Sequence, residues 1–191
     1  MIDTSFLPKA IEGHMQVQQN VVDMWLKIKN HTSFCSMIEI GFNVGHSSVI
    51  VLSLFDDVSV NSFDINRTER TQQGADIVKE KFNDRHNFYS YNTLTLREDI
   101  KNKNFVLPNA DLIFIDGGHS FEVALNDIMI AKENNISYVV VDDSNIDTVR
   151  SAINAVDFLT EIETWAYVYQ KKKTKINPVT CTLFKLTECK V

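Results

Sequence analysis

Met37-Ile38-Glu39-Ile40-Gly41-Phe42-Asn43-Val44-Gly45-His46-Ser47-Ser48 is the stretch whose reading decides the fold. It begins as an apolar run after Phe34 and Cys35, the pattern of a buried strand. It then turns through two glycines and resumes as an apolar helix from Val49 to Phe55. Strand, glycine turn and helix form the first corner of a nucleotide-binding α/β unit. Gly41 lets the chain turn sharply, and Gly45 lets backbone approach a ligand, because neither carries a Cβ. The acidic Glu39 stands just before the turn. The third glycine of a dinucleotide fingerprint is missing, no Gly-Lys-Ser/Thr follows, and no lysine or arginine stands in the turn to meet a pyrophosphate. The turn therefore suits a nucleoside-like ligand without phosphates, bearing a polar group that an acid can hold.

Outward from this corner, the pattern repeats. Val58 to Phe63 reads as a second strand ending at Asp64, which lies 23 positions past Gly41. That is close to the offset of roughly 20 residues at which a carboxylate meets ribose hydroxyls. Glu69 to Phe82 reads as a helix, and His86 to Tyr91 as a third strand ending at Asn92 and Thr93, where a polar edge could read a base. Leu94 to Lys103 is helical. Asp111 to Asp116 is an apolar run between acids, as expected of a strand buried on both faces, and Gly117-Gly118-His119-Ser120 follow it directly. Four of the six glycines fall in these two turns. Phe121 to Asn134 is a helix, with Phe121, Leu125, Ile128 and Met129 on one face. Ile136 to Val141 is a fifth strand, ending in Asp142-Asp143-Ser144-Asn145. Ile146 to Leu159 reads as a helix. Glu163 to Gln170 and Val179 to Leu186 read as a hairpin with a solvated basic tip at residues 171–178.

Before the key strand, Val17, Val21, Met24, Trp25 and Ile28 recur at helical spacing within residues Pro8 to Asn30. Residues 1–33 are expected to form a helical cover or lid, and residues 34–191 the ligand-binding domain. His14 and His31 read as surface residues. Five βα units and a hairpin predict an α/β fold: an open, mostly parallel, seven-stranded sheet with a C-terminal antiparallel hairpin and flanking helices. Ligands of such sheets bind beyond the carboxyl ends of the strands. Glu39, Asp64, Asn92, Asp116, Asp142 and Asp143 all fall at those ends.

Composition sets the outer limits. A chain of 191 residues fits one core, and 44% apolar with 23% charged residues is ordinary for a globular protein. The net charge of −6 argues against nucleic acid as partner. No apolar run approaches a membrane span, and no signal peptide is visible. Cys35, Cys181 and Cys189 have no metal spacing and read as thiols of a reducing compartment, so a cytoplasmic protein is expected.

Asp116, Asp142 and Asp143 from adjacent strand ends would repel one another unless a cation sat between them. Mg2+ or another divalent metal with oxygen ligands would resolve this. It would also lower the pKa of a substrate hydroxyl. Asp143 alternatively caps the following helix. His119, in a glycine-freed turn, is placed to take a proton from such a hydroxyl.

Taken together, these motifs resemble the class I S-adenosylmethionine-dependent methyltransferases, and more narrowly the small O-methyltransferases of the catechol type and of the macrolide and aminocoumarin sugar type. Glu39 to Ser47, Phe63-Asp64-Ile65, Phe114 to Glu122 and Val140 to Asp143 carry the resemblance, which covers about residues 35 to 187. It implies a Rossmann-like fold and S-adenosyl-L-methionine as cofactor. Glu39, Gly41, Asn43, Gly45 and Ser47 would cradle the methionine part, Asp64 would bind the ribose, and Ile65, Asn92 and Thr93 would border the adenine. Asp116 would stand beside cofactor and metal, with Asp142 or Asp143 completing the metal site. The base of the catechol type falls at His119, and that of the sugar type at Gly118. His119 is thus the candidate base by its own chemistry. The reaction implied is methyl transfer to a small hydroxylated acceptor. The short N-terminal part leaves room for a second chain, as in a homodimer, to complete the pocket. Competing readings are a metal-independent methyltransferase on nitrogen or carbon, a non-catalytic binding module of the same fold, and, less well matched, an NAD-dependent oxidoreductase.

Overall fold

The computed structural model describes residues 2–10, 15–167 and 178–187. Within them the chain runs α1 (Gln19–Thr32), β1 (Ser36–Ile40), α2 (His46–Leu54), β2 (Ser59–Asp64), α3 (Glu69–Phe82), β3 (His86–Ser90), α4 (Thr93–Lys101), β4 (Leu112–Ile115), α5 (Phe121–Glu133), β5 (Tyr138–Val141), α6 (Asp147–Asn154), β6 (Leu159–Tyr167) and β7 (Val179–Leu186). The seven strands form one sheet in the order β3-β2-β1-β4-β5-β7-β6. β1 pairs in parallel with β2 and β4; β7 runs antiparallel between β5 and β6.

The central strands are apolar on both faces because helices cover both. On one face Trp25, Phe34, Phe42, Phe114, Ile50 and Leu52 pack together; on the other Ile38, Ile113, Ile115, Ile128, Val139 and Phe184 do. Trp25 of α1 meets the Phe114 ring edge-on at 5.3 Å between centroids and is fully buried. Burying a large apolar side chain of this kind is worth ~1.5–3 kcal/mol. Arg85 closes the far end of α2: its Nη1 donates to the carbonyls of Leu52, Phe55 and Val58 at 3.1, 2.8 and 3.3 Å. That satisfies carbonyls a helix end leaves without partners.

The chain leaves β1 in one direction through β2 to β3 and returns on its other side as β4 and β5. This reversal opens a crevice at the carboxyl ends of β1 and β4, the topological switch point.

Several element bounds differ from the sequence reading. α1 begins at Gln19, not Pro8, and Gln18 makes no side-chain cap. α6 stops at Asn154, because the chain turns so that Phe158 is buried and Leu159 can pair with Leu186. His31 pairs with Glu163 at 3.2 Å, tying α1 to the sheet edge. The hairpin tip up to Asn177, Cys189 and His14 lie outside the described residues.

Candidate active site

A cleft of about 450 Å³ opens at the switch point. Gly41, Asn43, Ser47, Asp64, Ile65, Asn92, Thr93 and Leu94 line one side; Asp116, Gly117, Gly118, His119 and Asp143 line the other, and Met15 reaches it from the N-terminal segment. The volume lies in the range of small-molecule sites.

The first turn is built by backbone strain that only glycine relieves. Gly41 has φ +95, and a Cβ there would stand 2.0 Å from the Asp116 carbonyl oxygen. The β1 turn therefore rests directly on the β4 turn. Gly45 has φ +94 and packs under the Phe42 ring, 2.7 Å from where its Cβ would lie. Its freedom serves the turn itself, and Gly45 does not line the cleft.

Glu39 does not line the cleft either; it is completely buried. The Ser47 hydroxyl donates to Oε1, and those of Ser48 and Ser62 donate to Oε2 at 2.5 and 2.6 Å. Burial raises the Glu39 pKa, and the three hydroxyls oppose that rise. Ser62 also meets His86 Nε2 at 3.1 Å. Burial depresses the His86 pKa to about 4, so this imidazole is neutral. Glu39 thus reaches the cleft only through Ser47, whose hydroxyl it orients.

Asp64 faces the cleft from the end of β2. Its Oδ2 accepts from the Asn43 amide and its Oδ1 from the Asn66 amide, both at 2.9 Å. Ile65 and Leu94 stand beside it, 42% and 49% exposed, two large apolar side chains presented to the cleft. Asn92 caps α4, its side chain accepting from the Leu94 amide at 3.1 Å.

Across β1, Asp116, His119 and Asp143 each bring a ligand atom within 4.8 Å of the others. His119 Nε2 lies 3.0 Å from Asp143 Oδ2, and the Thr148 hydroxyl donates to the His119 carbonyl at 2.5 Å. Asp142 is not brought into this group. It is 3% exposed and turned away, its two oxygens accepting from the Tyr167 hydroxyl at 2.5 Å. Successive residues at a strand end point to opposite sides. Asp143, at φ 51, is the one carried round toward His119, and its carbonyl accepts from the Ile146 amide at 2.8 Å. No side-chain cap forms at the start of α6.

A methyltransferase domain profile matches residues 38–144, more than half of the chain. The chain belongs to the methyltransferase domain family. No curated protein matches it. Among solved structures, this methyltransferase domain is similar in fold to an O-methyltransferase from Bacillus cereus in complex with S-adenosylhomocysteine (16% identity, TM-score 0.63, 94% of this chain and 84% of that one). It is similar to the O-methyltransferase TomG from Streptomyces achromogenes, involved in tomaymycin synthesis, in complex with S-adenosylmethionine (14%, 0.63, 91% and 82%). It is also similar to the N-methyltransferase NodS from Bradyrhizobium japonicum in complex with S-adenosylhomocysteine (14%, 0.62, 89% and 87%). The class I architecture expected from the motifs is therefore the fold of the methyltransferase domain. Among its described residues no helix is long and apolar enough to cross a membrane.

Three buried residues behind the cleft lining were given no site role in the sequence reading. Tyr167 holds Asp142, but nothing in a strand of mixed character marks it. His86 extends the Glu39 network, and a histidine opening a strand gives no sign of burial. Asp127 is buried on α5, and here a signal existed: it falls three residues after Ala124 and four before Ala131, on the helix stripe that faces the core.

Proposed function

We propose that this methyltransferase domain binds S-adenosylmethionine and methylates an oxygen of a small hydroxylated acceptor, with a divalent cation at the Asp116 side of the cleft. The observation that carries the reading is one cleft with Asp64 on one side of β1 and the Asp116, His119 and Asp143 group on the other.

The residues fit the cofactor. Each Asp64 oxygen accepts one backbone amide and keeps a lone pair for one hydroxyl of a vicinal diol. Ile65 and Leu94 offer apolar surface to a flat base. Ser47, oriented by Glu39, presents a hydroxyl to a polar tail. Asp116 and Asp143 offer the oxygen ligands that hard cations prefer.

S-adenosylmethionine supplies an electrophilic methyl group, and a divalent cation favours the deprotonated form of a nearby hydroxyl. The chain's residues do the rest. Asp64 and Ser47 fix the donor's position. His119 takes the acceptor's proton at its other ring nitrogen, Nδ1, while Asp143, facing Nε2, stabilises the imidazolium so formed. Alignment of this kind is worth several powers of ten in rate. A second reading is favoured by the same 3.0 Å contact: His119 and Asp143 act as a base pair without a metal. Residues 1–33 serve as the cover, with Met15 at the cleft wall.

The test is calorimetric titration with S-adenosylhomocysteine, with and without Mg2+. Tight binding is expected, weakened on the order of a hundredfold by Asp64→Ala, since hydrogen bonds to a charged group are lost. No binding under any condition would sink the reading. Chelation should then abolish transfer to an identified acceptor while leaving S-adenosylhomocysteine bound. Full activity after chelation selects the metal-free pair.

A further inference from the structure

The sequence places three carboxylates, Asp116, Asp142 and Asp143, at the ends of β4 and β5, an all-oxygen set suited to a hard ion. The fold does not assemble that set. Asp142 is turned into the core, where both its oxygens accept from the Tyr167 hydroxyl at 2.5 Å. In its place the turn after β4 brings an imidazole. His119, Asp116 and Asp143 each carry a ligand atom within 4.8 Å of the others. All three residues line the cleft, and the side chains of His119 and Asp143 are 47% and 17% exposed. An ion arriving from solvent can reach them.

His119 Nε2 lies 3.0 Å from Asp143 Oδ2. Two neighbouring ligands on one first-row ion, each about 2.1 Å from it, stand roughly 3 Å apart. The spacing that serves a hydrogen bond without an ion is therefore one that an ion can also span. The turn itself is pinned, since the Thr148 hydroxyl donates to the His119 carbonyl. Exchanging a carboxylate for an imidazole has two effects. It removes negative charge and an oxygen ligand, which weakens the hold on Mg2+, an ion that dehydrates reluctantly. It also supplies a neutral nitrogen, the ligand that suits the later first-row ions.

We propose that His119 is a ligand of the cation and that the site selects a first-row transition ion such as Co2+ or Zn2+ over Mg2+. The inference rests on the cation reading above and alters one part of it. An imidazole that holds an ion through Nε2 carries its proton on Nδ1 and cannot take another. Ligand and base are thus alternative roles of His119, and the base role belongs to the metal-free pair with Asp143. Tyr167 makes the difference: by keeping Asp142 in the core, it denies the ion a third carboxylate.

The experiment titrates the chelator-treated, tag-free full chain with Co2+, Zn2+ and Mg2+ separately by calorimetry, and records the visible spectrum of bound Co2+. Wild type should bind Co2+ and Zn2+ about tenfold or more tighter than Mg2+, as a nitrogen-containing set prefers. His119→Ala and His119→Asn should each weaken Co2+ on the order of a hundredfold, the most that losing even an outer partner costs, and should change the Co2+ spectrum. Mg2+ binding should change little by comparison, so the ratio between the ions collapses. Mg2+ bound by wild type as tightly as Co2+, or a Co2+ affinity and spectrum that survive in both variants, overturns the proposal and leaves the cation reading standing. No ion bound by wild type overturns the proposal and the cation together, and the titration with S-adenosylhomocysteine still decides the cofactor reading on its own.

Discussion

Glu39 and Asp127 are both carboxyls buried beside one cleft, and the fold treats them oppositely. Glu39 is enclosed by three serine hydroxyls and continues through Ser62 to His86. Asp127 keeps one oxygen without a partner. The first acid belongs to the protein, since its hydrogen bonds close within the core. The second leaves one oxygen unpaired, sealed from the cleft as well as from solvent. A buried acid whose oxygens are paired supports the fold, whereas one with an unpaired oxygen costs it stability.

The largest expected effect tests the closed member. Glu39→Ala leaves three hydroxyls without their acceptor and should lower unfolding free energy by about 3–5 kcal/mol in urea denaturation. A loss under about 1 kcal/mol would mean the serines re-pair easily and the contrast with Asp127 is empty.

The open member should respond with the opposite sign. The folded pKa of Asp127 is raised from 3.8 to about 6. An acid raised on folding weakens the fold as pH climbs from its unfolded value through its folded one, and the full penalty is present above about 6. Asp127→Asn should therefore gain roughly 3 kcal/mol over wild type at pH 8, and the gain should vanish near pH 4. A pH-independent difference would show that the carboxyl's charge is not what matters. The smallest effect sharpens the comparison from within the Glu39 network. Ser62→Ala removes one of three donors and should cost about 1–2 kcal/mol.

Much of this could be read from the chain, and the reasons it stops are local. The strands were visible because a sheet covered on both faces needs continuous apolar runs such as Leu112–Ile115. The turn at Gly41 was visible because its φ excludes other residues. Asp142 and Asp143 were not separable, because neighbours at a strand end differ only in which way they point, and that is decided by Tyr167 on β6 and by the left-handed turn at Asp143. Glu39 was expected to touch the ligand directly, whereas Ser47, the second residue of α2, stands between. Asp127 was passed over because the helix was read by its largest apolar residues, while the stripe that reaches the core runs through alanines.

The contact between Gly41 and the Asp116 carbonyl has a consequence for how such a site can diversify. The two strand ends touch through backbone atoms, so their spacing does not depend on which side chains surround them. Residues on the His119 side can be exchanged without moving Asp64. A larger residue at Gly41 would remove that independence: every change on one side would then be transmitted to the other. One missing methyl group thus keeps two halves of a site free to change at different rates.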